Sequence, residues 1–304
     1  MNWFLIALIP PAIWSATNHF DKYLISKYFK GGGVGALMMF SSIIGVFILG
    51  VIAIIHPEVL SYPIAKGLFI ALNGFVYLLA TLPYLYALRK DEASIAVPMF
   101  QMIPVFTYFL AWLILGETLS GSQLMGGILI ILGAIIISLE LSEVNKISIK
   151  KEVLILMTIS SLFFSLNFIF FKYFAISATF WITSFWEYVG FAIFSFFLFV
   201  FIKKYRDEFI SVIKANKVNV LTLNGINEIL NIIAKLAFNF ASLLAPITLT
   251  WVVDGFQPFF VLLYGVILTL FFPHISQENI SKKHLAHKFL AIAIMFIGTF
   301  FINK

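Results

Sequence analysis

Apolar stretches recur along the whole chain, each about 20 residues long, the length that an α-helix needs to cross the hydrocarbon core of a bilayer. The connections between them are short and carry charged residues, Gly and Pro, as at residues 203–217. This pattern predicts an all-α integral membrane protein of about ten transmembrane helices. The predicted spans, numbered 1 to 10 in chain order, are residues 3–21, 34–55, 64–88, 93–115, 122–139, 152–175, 180–202, 220–243, 246–271 and 286–302.

Composition supports a single membrane domain. Of the 304 residues, 62% are hydrophobic and only 11% are charged, whereas a soluble domain is about a quarter charged. The polar connections are too short to fold outside the bilayer. The sequence contains no cysteine, which excludes a disulfide framework and thiolate metal ligands, and we expect neither a metal nor a cofactor.

Basic residues are distributed asymmetrically about the predicted spans. Among the 20 Lys and Arg, Lys172 and Lys235 lie inside spans, and only Lys66 and Lys304 lie on the same side as the chain ends. The others follow spans 1, 3, 5, 7 and 9. Because Lys and Arg accumulate in cytoplasmic loops, we predict a multi-pass protein of the cytoplasmic (inner) membrane with both termini outside the cytoplasm. Short basic clusters of this kind do not form a recognition face for nucleic acid, so the net charge of +6 does not indicate a nucleic-acid partner.

The two halves of the chain share residues at a nearly constant offset of about 150 positions. Residues 1–144 and 150–304 are therefore predicted to form two related five-helix repeats. Because five is an odd number, the second repeat starts from the opposite side of the membrane and has inverted topology, which is typical of secondary transporters. The matches are Trp14, Ser15, Lys22 and Tyr23 with Phe164, Ser165, Lys172 and Tyr173, then Leu72-Asn73-Gly74 with Leu223-Asn224-Gly225, and Pro104 with Pro258.

Span 8 carries a continuous polar stripe, since its polar residues project within an arc of about 120°. A charged group at membrane depth costs at least about 2.5 kcal/mol on insertion scales, so the stripe must face a wet cavity or polar partners. It either binds a substrate or contains a structural salt bridge between Glu228 and Lys235. Span 3 has a milder stripe that forms the opposite wall or makes ordinary interhelical hydrogen bonds. The stripes consist of Asn224, Asn227, Glu228, Asn231, Lys235 and Asn239 in span 8 and of Asn73, Tyr77, Thr81 and Tyr84 in span 3.

Spans 4 and 9 are both interrupted by proline, which removes a backbone donor and breaks or kinks a helix. Paired interruptions in two halves are the best sequence pointer to a transport site, although membrane helices also tolerate proline for packing alone. We predict that Pro98, Pro104 and Pro258 permit gating movements, and that Asp254 binds a cationic substrate or a coupling proton. The polar residues aligned with these prolines are Ser94 and Gln101 in span 4 and Thr250, Asp254 and Gln257 in span 9.

Two further charged residues lie inside spans. Glu187 has Lys235 as an obvious candidate partner, which favours a structural role over proton coupling, with Glu228 and Asp254 as the other coupling candidates. Lys172 lies near the end of its span, where it either contributes to binding or snorkels to the interface. The sequence has no Gly-rich phosphate loop, nucleophile elbow or H-E-x-x-H spacing, so we expect no enzyme activity.

Spans 3 to 5 contain a series of short motifs: Tyr86-Ala87-Leu88, Pro98, Pro104, Leu115-Gly116-Glu117, Gln123, Gly126 and Gly133. This series resembles the EamA repeat of the drug/metabolite transporter superfamily. The resemblance spans the whole chain as two repeats but is looser in the second half, where Phe271-Phe272-Pro273 replaces the Leu-Gly-Glu run. Glu117 therefore has no repeat counterpart, and it is either a gate or a solvated loop acid.

The resemblance implies a ten-helix basket whose central cavity is formed mainly by spans 1, 3, 4, 6, 8 and 9, and it implies transport of small molecules. Because acids and a base share the predicted cavity, we expect a small polar or zwitterionic metabolite, with an amino acid or derivative favoured, moved by alternating access that is coupled to protons or to exchange. The alternatives are export of cationic drugs, flipping of lipid-linked sugars and, in a different class, a membrane-embedded lipid enzyme. The expected partners are the substrate, the lipid bilayer and a coupling proton, and the oligomeric state is left open.

Overall fold

The structure is a computed structural model that describes residues 3–27, 34–90, 97–138, 151–271 and 282–303. Every regular element in these ranges is helical, in agreement with the all-α prediction. The helices are α1 (Trp3–Ala7), α2 (Ile9–Lys27), α3 (Val34–Ile55), α4 (Ile64–Lys90), α5 (Ile103–Leu115), α6 (Gly121–Ser138), α7 (Lys151–Ser177), α8 (Phe180–Phe201), α9 (Lys203–Leu244), α10 (Ile247–Asp254), α11 (Gln257–Phe271) and α12 (Lys282–Ile302), with 3₁₀ turns at Pro57–Ser61 and Val97–Met102.

The helix bounds follow most of the predicted spans, because a run of apolar residues marks where a membrane helix can begin and end. Within the described residues, five helical segments are long and apolar enough to cross a membrane: Ile64–Ala87, Lys151–Ser177, Phe180–Phe201, Leu221–Leu244 and Ile247–Phe271. Shorter apolar helices cover Gly45–Ile55, Met99–Leu115, Gly121–Ile136 and Lys288–Ile302.

The connection predicted at residues 203–217 lies between two candidate spans, but it is helical, which the sequence analysis did not predict. These residues form the first part of α9, which continues without a break to Leu244. Lys, Arg and Glu are good helix formers, and neither Gly nor Pro occurs between Lys203 and Gly225 to end the helix. Hydropathy marks only the segment Leu221–Leu244 as a candidate span, so α9 extends well beyond its apolar part.

The proline-containing spans 4 and 9 are interrupted, as the sequence predicts. In span 9, α10 ends at Asp254 and α11 begins at Gln257. In span 4, the 3₁₀ turn Val97–Met102 precedes α5. Pro104 and Pro258 each occupy the second position of the following helix, where the missing N–H has no intrahelical partner to lose. Each proline therefore starts a new helix instead of kinking a continuous one.

Several contacts between helices of the two halves occur in equivalent pairs. α4 packs against α7 and α8, and α9 packs against α2 and α3. α5 contacts α7 and α11 contacts α2, while α6 contacts α12 and α3 contacts α8. Pair α2, α3, α4, α5 and α6, in that order, with α7, α8, α9, α11 and α12, and replace each helix by its paired helix. The contact between α4 and α7 then becomes the contact between α9 and α2, and each of the other contacts named here likewise becomes one of these contacts. The packing therefore has an approximate two-fold character.

Two polar contacts fix the relative direction of α4 and α7. The Asn167 side-chain amide donates to the Asn73 carbonyl oxygen at 2.9 Å, and the Lys90 ammonium lies 2.7 Å from the Glu152 carboxylate. Because the numbering rises along α4 while it falls along α7, the helices run antiparallel. We call the end of the bundle at Lys90 and Glu152 the near end, and the end at which α7 finishes the far end.

Candidate functional site

A cavity of about 200 Å³ lies between helices of both halves and the break that separates α10 from α11. Along α4 it extends from Tyr77 to Leu85, which is the half of the bundle toward the near end. Most of the residues that the sequence predicts to bind substrate line this cavity, namely Tyr77, Thr81, Tyr84, Glu228, Asn231, Lys235, Asp254 and Gln257. The remaining lining side chains are largely aromatic or aliphatic, with Thr17 and Asn18 of α2 among the polar ones.

The other predicted binding residues lie outside the lining. Asn73 donates to the Glu187 carboxylate at 2.9 Å, and Gln101 lies beside the break between α10 and α11. Asn224 and Asn227 are buried on α9, with 1% and 2% of their surface exposed. Helical periodicity places these side chains on the correct face, but it does not show which levels of that face open into a cavity.

The predicted gating prolines have different environments. Pro104 is buried at the start of α5, and Pro258 is partly exposed at the start of α11. The side chain of Pro98 and the whole of Ser94 lie outside the described residues. Thr250 is fully buried one turn before Asp254 on α10. The gating role of these prolines remains a prediction.

Lys235 is held by a buried polar network that joins α4, α7, α8 and α9. Its ammonium lies 3.2 Å from Glu187 Oε2 and 3.2 Å from Asn167 Oδ1. The amides of Asn73 and Asn167 donate to Glu187 Oε1 at 2.9 and 2.8 Å. The ion pair of Lys235 is thus with Glu187 on another helix, which supports the structural interpretation of Glu187, while Glu228 lies two turns away on α9. A buried charge pair is tolerated when hydrogen bonds of this kind accompany it.

Aromatic rings complete the surroundings of the Lys235 ammonium. It lies 4.3 Å from the Tyr77 ring centroid and 4.5 Å from the Phe168 ring centroid, well within the range of a cation–π interaction. These rings belong to a series of successive ring contacts around the cavity, which we call the aromatic belt. In order of contact its members are Tyr84, Phe100, Phe164, Tyr77, Phe168, Trp251, Phe238 and Trp14.

Asp254 stands at the break in span 9. It is the last residue of α10, is 8% exposed and lines the cavity. Its Oδ1 makes no hydrogen bond with the described residues. On the other side of the break, the Ser15 hydroxyl of α2 donates to the Gln257 carbonyl oxygen at 2.9 Å. A buried carboxyl group therefore stands at the cavity wall where α10 ends.

A second polar cluster lies at the far end, away from the cavity. The Glu117 carboxylate pairs with the Lys172 ammonium and accepts a hydrogen bond from the Ile247 N–H at 2.8 Å. Lys172 also donates to the Ala245 carbonyl oxygen at 2.7 Å. The two side chains are only 16% and 8% exposed, so Glu117 is not a solvated loop acid and Lys172 does not snorkel. We call this cluster, which joins α5, α7 and the start of α10, the clasp.

Sequence reasoning missed Asn167 and the aromatic belt. Asn167 could have been found, because it is a polar residue inside span 6 and aligns with the polar Thr17 of span 1 at the repeat offset of 150 positions. The belt carries no comparable signal, since aromatic residues make up 17% of the chain and occur on every face of the spans.

Comparison with known proteins supplies a family for the first half of the chain. Residues 1–139 match the model of the EamA-like transporter family. This region is EamA-like. The match confirms the resemblance predicted from the motifs of spans 3 to 5. The match and the apolar helices support a multi-pass membrane protein, and a match to a family of transporters fits the expectation that the chain is not an enzyme.

Two similar proteins extend the comparison. An uncharacterized protein of Methanocaldococcus jannaschii is 34% identical over 89 residues, a region that covers 29% of this chain and 60% of that protein. This chain therefore matches less than two thirds of its relative. A solved crystal structure of a protein with 13% sequence identity superposes with a TM-score of 0.61 and covers 97% of this chain and 94% of that one. At such low identity the likeness shows a shared fold alone.

Proposed function

We propose that the chain is a secondary transporter that moves a small polar metabolite across the cytoplasmic membrane by alternating access. The observation that carries this proposal is the cavity at the interrupted spans, which combines carboxylates, amides and the aromatic belt between the two halves. Interrupted helices around a site deep in the bundle are the usual construction of secondary transporters. Amino acids and their derivatives remain the metabolites favoured by the sequence.

The equivalent helix contacts support a transporter built from two inverted repeats, residues 1–144 and 150–304. The contacts of α4 with α7 and α8 have equivalents in those of α9 with α2 and α3, and the contact of α5 with α7 has one in that of α11 with α2. Repeats related in this way give a protein two similar conformations, with access from opposite sides, when one half rocks against the other. The breaks before α5 and between α10 and α11 are the places where such movement costs least.

Transport against a gradient needs a coupled driving force, and we propose a proton gradient or exchange of two substrates. Glu228 and Asp254 are the carboxylates that line the cavity and are the candidates for a coupling proton. Glu187 is less suited to that role, because Lys235 and two amides hold its carboxylate. A lipid flippase needs a groove open to the bilayer, and a lipid enzyme needs a reactive cluster at headgroup level, whereas this polar lining lies within the spans.

An uptake screen with reconstituted vesicles tests the proposal. Purified full-length chain is loaded into vesicles, and accumulation of amino acids, nucleosides and organic cations is measured with and without a pH gradient. We expect at least one class to accumulate above protein-free vesicles, and more strongly with the gradient or with a counter-substrate inside. Failure of every class with correctly folded protein would contradict the proposal.

A matched pair of variants connects uptake with the cavity. Asn231 lines the cavity, so Asn231→Leu should lower uptake of the accumulated compound by about tenfold, because a hydrogen bond to the substrate is lost and an apolar group is placed against it. Asn303 is exposed at the end of the chain, so the same change in Asn303→Leu should leave uptake unchanged. Equal uptake by the two variants would place the transport route elsewhere.

A further inference from the structure

The charges that line the cavity are not equally available to a ligand. Lys235, Glu228 and Asp254 are its charged lining residues, and the Lys235 ammonium is already paired with Glu187. We propose that the ligand is an organic cation, an ammonium joined to an apolar body, and that the cavity disfavours carboxylates and therefore zwitterionic amino acids. This inference rests on the proposed function and names the substrate class of the same site, and it departs from the amino acids that the sequence favours.

The ammonium of Lys235 is already engaged by partners inside the protein. It donates to Glu187 Oε1 at 3.3 Å and to Asn167 Oδ1 at 3.2 Å, and it lies 3.2 Å from Glu187 Oε2. The rings of Tyr77 and Phe168 cover its remaining sides. A substrate carboxylate would have to displace Glu187 and leave that acid buried without its cation, at a high cost in free energy.

Asp254, in contrast to Lys235, has a carboxyl oxygen that no described residue engages. It is more than nine-tenths buried and lines the cavity, and its Oδ1 has no hydrogen-bond partner among the described residues. A buried polar atom without a partner costs free energy, and a ligand ammonium placed there removes that cost. Glu228 adds a second carboxylate to the lining.

The aromatic belt is suited to the rest of such a ligand. The rings of Tyr77 and Phe168 contact the ammonium of Lys235, and the other rings of the belt that line the cavity offer faces of the same kind to a ligand ammonium. These rings are Trp14, Tyr84, Phe100, Phe164 and Trp251. The same rings offer apolar surface for an aliphatic or aromatic body. Trp251, one turn before Asp254 on α10, has an indole N–H without a partner among the described residues and can donate to a neutral hydroxyl or carbonyl of that body.

The site also selects against anions. A ligand carboxylate bound at the Trp251 N–H would lie on the face of α10 that carries Asp254 three residues later, since residues three apart are neighbours on a helix. The ligand carboxylate and the Asp254 carboxylate would carry like charges on neighbouring positions of the helix, and such charges repel in a low-dielectric environment. We therefore expect the affinity order cation, then zwitterion, then anion for ligands with the same body.

Binding of three compounds with one common ring tests this order. Phenethylamine, phenylalanine and phenylacetate are titrated into the purified full-length chain at pH 7, with isothermal titration calorimetry as the readout. We expect phenethylamine to bind at least about tenfold more tightly than phenylalanine, and phenylacetate not to bind measurably. The variant Asp254→Asn should weaken phenethylamine binding by about tenfold or more, with its thermal unfolding temperature unchanged or raised because a buried charge is removed.

The matched control is Asp207→Asn, since Asp207 is exposed on the first part of α9 and the chemical change is the same. It should bind phenethylamine as the unchanged chain does. The inference is overturned if phenylalanine or phenylacetate binds as tightly as phenethylamine, if phenethylamine does not bind, or if Asp254→Asn binds it normally. Transport of an amino acid in the uptake screen combined with any of these results would leave the proposed function intact and remove only the cationic substrate class.

Discussion

Lys235 and Glu187 show that a charge inside a membrane protein can serve the structure more than the ligand. Both side chains are nearly inaccessible, with 4% and 1% of their surface exposed, so neither is solvated as an isolated ion. Their interaction and the hydrogen bonds from Asn73 and Asn167 compensate for the water that each charge has lost. The network therefore depends on all of its members.

Removing one member should cost more than removing both charges. We expect Lys235→Met to lower the free energy of unfolding by roughly 3–5 kcal/mol, because Glu187 is left as an uncompensated buried charge. The double variant Lys235→Met with Glu187→Gln should recover most of that loss. Thermal unfolding in detergent measures both effects.

The control is Lys66→Met, since Lys66 is exposed at the start of α4 and should give an unfolding temperature close to that of the unchanged chain. An additive double variant, no more stable than Lys235→Met alone, would show that the two charges do not depend on each other.

Sequence reasoning reaches these residues only in part. The intramembrane position of Lys235 and Glu187 follows from hydropathy, because charged residues are conspicuous in apolar spans. Hydropathy does not show whether Glu187 or Glu228 is the partner of Lys235, because that depends on how α8 and α9 cross. Likewise, the periodicity of span 8 selects a face that contains both cavity-lining Asn231 and the buried Asn224.

Pairs of helices in this chain approach each other through glycine. A Cβ on Gly190 of α8 would lie 2.0 Å from the carbonyl oxygen of Ala71, and a Cβ on Gly74 of α4 would lie 2.4 Å from the carbonyl oxygen of Glu187. Backbone contacts of this kind are possible only where both helices present small residues. The contact also holds α4 and α8 at the distance that lets Asn73 reach Glu187.

Gly190→Ala should therefore separate α4 from α8. A backbone oxygen cannot move aside as a flexible side chain can, so we expect a loss of about 1–3 kcal/mol in the free energy of unfolding, measured by thermal unfolding in detergent. Gly50→Ala is the matched control on α3, because a Cβ there meets nothing within 4 Å and alanine is the better helix former. If both variants unfold at the same temperature, the close approach of α4 and α8 is not needed for stability.

Helices are predicted better than their interruptions are. The positions of α3 and α8 follow directly from apolar runs, and the proline positions indicate the breaks in spans 4 and 9. The long amphiphilic start of α9 was missed because hydropathy responds to membrane burial, whereas charged residues with good helix propensity also extend a helix into the polar region. The proline positions do not give the residues at which α10 ends and α11 begins, Asp254 and Gln257, and these are known only from the structure.

The orientation of the whole molecule is a further prediction from the distribution of basic residues. A C-terminal green fluorescent protein should remain dark and a C-terminal alkaline phosphatase should be active, because the chain ends lie outside the cytoplasm under the positive-inside rule. The control places the same reporters after Lys214, in a basic region of the opposite side, where fluorescence should appear and phosphatase activity should be absent. Fluorescence of a C-terminal fusion would show that the orientation is the reverse of the predicted one, with the near end outside the cytoplasm.

The clasp makes the two faces of the membrane unequal for a carrier that alternates as proposed. Glu117 and Lys172 hold α5, α7 and the start of α10 together at the far end, so each interaction that must break before that end opens lowers the population of the far-open state. The affinity observed from the far side is the intrinsic affinity multiplied by that population. Half-saturation concentrations measured in the two directions should accordingly differ, even for one substrate and one binding site. An ion pair remote from the ligand would thus make transport asymmetric with respect to direction.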